Sequence, residues 1–143
     1  MKLLGPRTSI AIAAAVLVAC GSSKQTAPTP AVTVPAILPP GVTAQMWIDG
    51  QTIYNGTSCL LCHGVGGKKG PYGPDLTDNV YLQNSGSYED TIAIIRQGVS
   101  ADQFKSPASN PNFAMAPMGG QTFNDVQLRS VAAYVWTLSH PNG

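Results

Sequence analysis

Two thiols and an imidazole stand together in the stretch SCLLCHG, as Cys59, Cys62 and His63. Cysteines three residues apart on a helical turn point to the same side. Each can form a thioether to one of the two vinyl groups of a haem, and the adjacent imidazole then meets the iron. Three other chemistries compete for these residues. A zinc site wants a second pair of Cys or His ligands at suitable spacing, and the other histidine, His140, does not supply it. A thioredoxin-like redox pair wants a βαβ context, and no such strand pattern surrounds this one. A plain disulfide fits the spacing but leaves His63 without a role. Haem attachment uses all three residues.

An iron bound by one histidine has a second axial position, whose occupant decides between electron transfer and ligand chemistry. Met115 and Met118, in the Gly- and Pro-rich stretch NFAMAPMGG, are the candidates, with His140 a third. A thioether is a soft ligand that stabilises ferrous iron and raises the potential, which suits a carrier cycling between two oxidation states. Met46 is too close in sequence to the attachment site to cross to the opposite face, and reads as a core residue of the first helix. His140, beside Pro141, reads as a solvated terminal residue.

These groups need elements to position them. Thr43 is placed to cap a helix running to about Tyr54, with Met46, Ile48, Ile53 and Tyr54 as apolar positions and Asn55 and Gly56 as its stop. Ser87 and Asp90 resemble an acidic capping box, followed by Ile92, Ile95 and Val99 at helical spacing until Gly98 breaks the run. Asn124 and Gln127 make a third cap, after which Leu128, Val131, Ala132, Val135 and Leu138 line one face. The expected fold class is all-α: three main helices with long loops over 64–86 and 100–121. Loops of that length are suspect in an ordinary domain, but a haem supplies the apolar surface for them to wrap.

From Gly50 to Leu138 the chain resembles a class I cytochrome c. Gly50 and Tyr54 match the family's glycine and aromatic on the helix before the attachment site. Gly73, Pro74, Asp75 and Leu76 match its Gly-Pro-x-Leu turn, and Pro117, Gly119 and Gly120 match its Met-Pro-Pro-aromatic-Gly-Gly stretch. The resemblance implies one covalent haem c on Cys59 and Cys62, with His63 as an axial ligand oriented by the Pro74 carbonyl. It puts Met115 on the distal ligand and Met118 on the position usually filled by an aromatic. Ala116 stands where proline is expected, so Met118 stays a competitor. The resemblance also implies that the first and last helices cross. Gly50 against Tyr134 is the expected close pair, since a glycine inside a helix costs about 1 kcal/mol relative to alanine and asks for a packing reason.

The front of the chain carries different information. Lys2 and Arg7 precede an apolar run of ten residues, Ile10 to Ala19. A bilayer span needs about 20 residues, so this run reads as a signal-peptide core. Leu17, Val18 and Ala19 before Cys20 resemble a bacterial lipoprotein signal, which implies that Cys20 becomes the lipid-modified first residue. Residues 20–41, with five prolines and no period, are expected to form a tether whose extended backbone reaches on the order of 60 Å. Val32, Val34, Ile37 and Leu38 allow its second half to pack instead. The expected domains are a leader over 1–19, the tether over 20–41 and the haem domain over 42–143. The expected location is periplasmic, or on the outer face of a bacterial membrane, anchored through Cys20.

The chain has 143 residues, room for one modest domain, and a formal net charge of +1. Without Lys2 and Arg7 it has six Lys and Arg against seven Asp and Glu. That excludes the basic stripe a nucleic-acid partner requires. With 15 glycines, 12 prolines and 7% aromatic residues, it is poor material for a dense side-chain core and asks for a cofactor as a staple. The expected function is a one-electron carrier, not an enzyme, passing electrons between membrane-associated redox complexes. Lys68 and Lys69 have two readings, a positive patch near the haem edge that steers an acidic partner or a solvated loop. Two readings compete: a fixed cytochrome subunit of a larger respiratory or photosynthetic complex, and a haem protein of ligand-binding or peroxidase type. The latter would need a distal acid or base, and Met115 is flanked by Ala114 and Ala116.

Overall fold

The computed structural model describes residues 32–103 and 114–142. The leader expected over 1–19, Cys20 and the tether up to Ala31 lie outside the described residues. Among the described residues four α-helices carry the fold: α1 (Ala44–Gly56), α2 (Ser58–His63), α3 (Tyr88–Gln97) and α4 (Asp125–Ser139). Three are the helices expected from the caps, and α2 is a short addition that holds the attachment motif. Among the described residues there is no strand, only an isolated antiparallel bridge between Val99 and Met115. The all-α expectation therefore holds.

Each main helix starts where its cap dictates. Thr43 Oγ1 accepts from the Met46 N–H at 3.2 Å, and Ser87 Oγ accepts from the Asp90 N–H at 3.1 Å. Asn124 and Gln127 form the full reciprocal box, with bonds of 2.9 and 3.0 Å. At α3 the box is opened: the Asp90 carboxylate accepts from the N–H and hydroxyl of Ser85. Gly98, at φ 73°, ends α3 in a conformation that disfavours residues with a Cβ.

The core is the seam between α1 and α4, closed on one side by α3. Trp47, Gly50 and Tyr54 form the buried face of α1. Trp47 takes the deepest apolar place in its turn, and Met46 and Ile48 on either side of it are half-buried. A Cβ on Gly50 would lie 1.9 Å from the Ser130 carbonyl oxygen and 3.1 Å from the Val131 nitrogen, so the glycine admits the backbone of α4 itself. Tyr134, one turn further along α4, packs its ring 5.4 Å from Trp47 and 5.2 Å from Tyr54, and is buried. Trp47 Nε1–H donates to Thr137 Oγ1 at 2.8 Å, and that hydroxyl donates to the Tyr134 carbonyl at 2.8 Å, so the indole polar atom is satisfied inside the seam.

Part of the stretch expected as a tether belongs to this packing. Val34 and Leu38 lie half-buried against the core cluster and Pro39 is buried, while Val32 and Ile37 are exposed. His140 departs from the sequence reading. It is half-buried, its ring stacked 4.1 Å from Trp136 at an interplanar angle of 8°. Its Nδ1 lies 2.9 Å from the Trp136 carbonyl and its Nε2 lies 3.1 Å from the Tyr81 hydroxyl. An aromatic neighbour on each side keeps it from the solvated role expected of a terminal residue. Trp136 Nε1–H donates to the Gly86 carbonyl at 3.1 Å, which ties the end of α4 to the loop before α3.

Candidate functional site

Thr57 breaks α1 from α2 by adopting an extended conformation, φ −130° and ψ −174°, and its hydroxyl donates back to the Ile53 carbonyl at 2.8 Å. The single turn and a half of α2 then carries Cys59, Cys62 and His63 to one side of the domain. Gly64, at φ 81°, ends it with its N–H on the Leu60 carbonyl. The Tyr54 hydroxyl donates to the Gly64 carbonyl at 2.8 Å, so α1 fixes the end of the attachment helix from beneath.

The chain then folds back over the same helix. Gly73 N–H donates to the Cys62 carbonyl at 2.8 Å. A Cβ on Gly70 would lie 1.9 Å from that same oxygen, and one on Gly73 would lie 2.6 Å from His63 Nδ1. These approaches are why the return loop uses glycine. His63 Nδ1 lies 3.1 Å from the Pro74 carbonyl. A carbonyl can only accept, so Nδ1 carries the proton and the Nε2 lone pair is free to bind a metal. Asp75 shapes the turn, its Oδ1 accepting from the N–H and hydroxyl of Thr77 at 2.8 and 2.6 Å.

A cavity of about 290 Å3 opens beside these residues. Cys59, Cys62, His63 and Pro74 line it together with Met115, so the structure gathers the two thiols, the imidazole with its proline carbonyl and a thioether around one space. Leu76, Ile95, Val99, Val131 and Val135 supply apolar wall, and Trp136 and Tyr81 stand at it too. Met118 is not among the described residues that line this cavity. Its Sδ accepts from the Phe123 N–H at 3.4 Å.

The electrostatics follow from burial. Burial pushes the Cys59 thiol up, opposed by a hydrogen bond from Thr57. It pushes the His63 imidazole down, with the Pro74 carbonyl pulling the other way, which favours the neutral ring a metal requires. The Tyr54 phenol is pushed far above its ordinary value, by burial first and by the nearby Cys59 thiol and Tyr134 next. Both thiols are free of disulfide and half-buried. An apolar slot bordered by two unpaired thiols, a tautomer-fixed imidazole and a thioether fits the donor set of a covalently attached haem.

Several residues that matter here escape local sequence rules. Ser58, one residue before the attachment motif, donates to the Gly119 carbonyl at 2.5 Å. Val99 pairs with Met115, and Tyr81 and His140 close the rim near Trp136. Each depends on contacts far apart in sequence. Lys68 and Lys69 are exposed, and near them in sequence Leu61 and Val65 are 67% and 81% exposed.

A family model described as Cytochrome c matches residues 48–139. The chain is 31% identical over 83 residues to the Cbb3-type cytochrome c oxidase subunit FixPc of Rhizobium leguminosarum bv. viciae. It is likewise 31% identical over 83 residues to the Cbb3-type cytochrome c oxidase subunit FixP of Rhizobium etli. Each match covers 58% of this chain and 27% of the relative, so the chain spans little more than a quarter of the curated relatives it matches. No solved structure gives a significant match.

Proposed function

The chain belongs to the cytochrome c family, with the covalent c-type haem that membership implies, and on that premise we propose that it carries single electrons between membrane-associated redox complexes. The observation that carries this reading is the meeting of Cys59, Cys62, His63 and Met115 around one apolar cavity. In this assignment Cys59 and Cys62 would form the thioethers, His63 would bind iron through Nε2 while the Pro74 carbonyl holds its Nδ1 proton, and Met115 would be the second protein ligand of the iron. Met118 is the weaker candidate, because its sulfur is engaged by the Phe123 N–H and points its lone pair there. Haem supplies a one-electron couple between ferric and ferrous iron.

What the polypeptide does is hold that couple still. Pro74 and Gly73 keep the imidazole in one orientation and tautomer. The aliphatic wall excludes water and lowers the local dielectric, which disfavours the extra positive charge of the oxidised state and raises the potential. Exposed Leu61 and Val65 give an acidic redox partner an apolar landing face, and Lys68 and Lys69 supply the charge that steers it. On this reading the protein transfers electrons and turns over no substrate of its own.

A second reading makes the chain a fixed cytochrome subunit, as the names of its relatives describe for those proteins. The exposed Leu61 and Val65 suit that role as well. Sedimentation of detergent-solubilised membranes separates the two: a free carrier travels at its own small size, and a fixed subunit travels wholly with a terminal oxidase. We place the protein on the outer side of a bacterial membrane, held by acyl chains on Cys20. Loss of palmitate labelling in Cys20→Ser is the expected result, and retained labelling removes the anchor from the proposal.

Mass spectrometry and spectra test the central assignment. The exported protein should carry the added mass of one porphyrin, which Cys59→Ser together with Cys62→Ser should abolish. The ferric absorption band of iron–methionine bonding should vanish in Met115→Leu and persist in Met118→Leu. The opposite pattern transfers the ligand to Met118, and absence of porphyrin mass ends the carrier reading.

A further inference from the structure

Met115 is fixed by Val99, two residues past the end of α3. Met115 N–H donates to the Val99 carbonyl at 2.9 Å, and Val99 N–H donates to the Met115 carbonyl at 2.8 Å. Gly98 makes room for this pairing: a Cβ there would lie 2.2 Å from the Met115 carbonyl oxygen and 2.7 Å from the Pro117 nitrogen. The downstream side is a tight 3-10 turn, Pro117–Gly120, in which Met118 and Gly119 both hold positive φ, 53° and 64°. A non-glycine residue in that region is costly unless its surroundings hold it there.

What holds the turn from across the site is Ser58. Its hydroxyl donates to the Gly119 carbonyl at 2.5 Å, joining residues 61 apart. Ser58 opens α2, the helix of Cys59, Cys62 and His63, and both Ser58 and Gly119 border the cavity that Met115 lines. The Ser58 side chain thus ties the two sides of the cavity at its edge.

We propose that Ser58 is a positioning residue for Met115: by fastening the attachment helix to the turn after the distal methionine, it holds that thioether against replacement by outside ligands. This rests on the reading of Met115 as the distal ligand. Hydroxyl removal leaves both axial donors in the sequence and the Val99 pairing intact. The turn after Met115 then loses its tie to α2, and an incoming nitrogen ligand meets less resistance.

The test is an imidazole titration of the ferric, full-length exported protein, followed through the iron–methionine band, in wild type, Ser58→Ala, Ser58→Thr and Met115→Leu. In Ser58→Ala the dissociation constant for imidazole should fall about five- to tenfold, the ratio that one hydrogen bond of ordinary net strength supplies. The midpoint potential should fall with it, and Ser58→Thr, which keeps a hydroxyl, should restore both. An imidazole affinity in Ser58→Ala equal to wild type overturns the proposal, as does a lowered thermal midpoint with no change in affinity or potential, which marks Ser58 as structural only. If Ser58→Ala does not mature, Ser58→Gly also lacks the hydroxyl and is read by the same criteria. Met115→Leu keeps the two readings apart. A band surviving there refutes the ligand assignment, whereas a band lost there with Ser58→Ala unchanged refutes the positioning role alone.

Discussion

Gly50→Ala should destabilise the protein although alanine is the better helix former. In an exposed helix interior the substitution gains about 0.5 to 1 kcal/mol. Here the new methyl would lie 1.9 Å from the Ser130 carbonyl oxygen, and ordinary contact begins near 3.4 Å, so the α1 and α4 backbones must part by about 1.5 Å along that line. Overpacking against a backbone that cannot rotate away costs about 1 to 3 kcal/mol. Opening the seam also admits water to the edges of Trp47 and Tyr134, and each ~50 Å2 of apolar surface exposed there costs about 1 kcal/mol at about 25 cal/mol per Å2. The net expectation is a loss of about 2 kcal/mol, or on the order of 10 °C in thermal midpoint for a domain of this size. Urea and thermal unfolding of the haem-loaded protein, followed by far-ultraviolet circular dichroism, would measure it. A midpoint equal to wild type or higher would refute the reasoning, because helix propensity would then have outweighed a backbone contact that the fold does not in fact enforce.

Tyr54→Phe should cost about 1 kcal/mol at neutral pH by removing the bond to the Gly64 carbonyl. Its pH dependence has a definite sign. The folded-state pKa is raised, so the neutral phenol favours the fold; that contribution is complete below about 10 and is lost as the pH rises from there towards the folded value. Wild type should therefore lose stability above pH 10 more steeply than Tyr54→Phe in urea melts at stepped pH, with Tyr88 and Tyr134, both also raised, leaving a residual slope. Asn124→Ala should lower the urea midpoint by about 1 kcal/mol of stability, because it breaks a reciprocal cap at the start of the longest helix. Exchange of Lys68 and Lys69 for Glu should slow association with an acidic redox partner in stopped-flow mixing at low salt and leave the rate at high salt nearly unchanged.

The helices were legible in the sequence because their signals are local. Thr43, Ser87 and Asn124 each bond a backbone N–H three residues on, so the cap and its target fall in one short window. Cys59, Cys62 and His63 were legible for the same reason, and so was the Pro74 turn once the resemblance was recognised. What failed was partnership at a distance. Gly50 announced a close approach, but that the backbone of Ser130 is what comes nearest to it depends on where α4 crosses. The Asp90 carboxylate turned to Ser85 because the preceding loop folds over the helix start. His140 looked like a free end because nothing near it in sequence shows that Tyr81, 59 residues away, would reach it. Ser58 carries no signal at all: a serine before the attachment motif becomes informative only when Gly119 is placed beside it.

The stacked rings of Tyr81, His140 and Trp136 also set how the rim of the cavity can breathe. Loop 78–86 lies outside the α-helices, yet two of its members are fastened to the last turns of α4, Tyr81 through His140 and Gly86 through the Trp136 indole. The loop cannot swing outward alone; it must take those final turns with it or first unstack the imidazole. Amide protons at the end of α4 and in that loop should then exchange with deuterium as one cooperative unit, faster than the seam around Val131 and slower than an untethered loop.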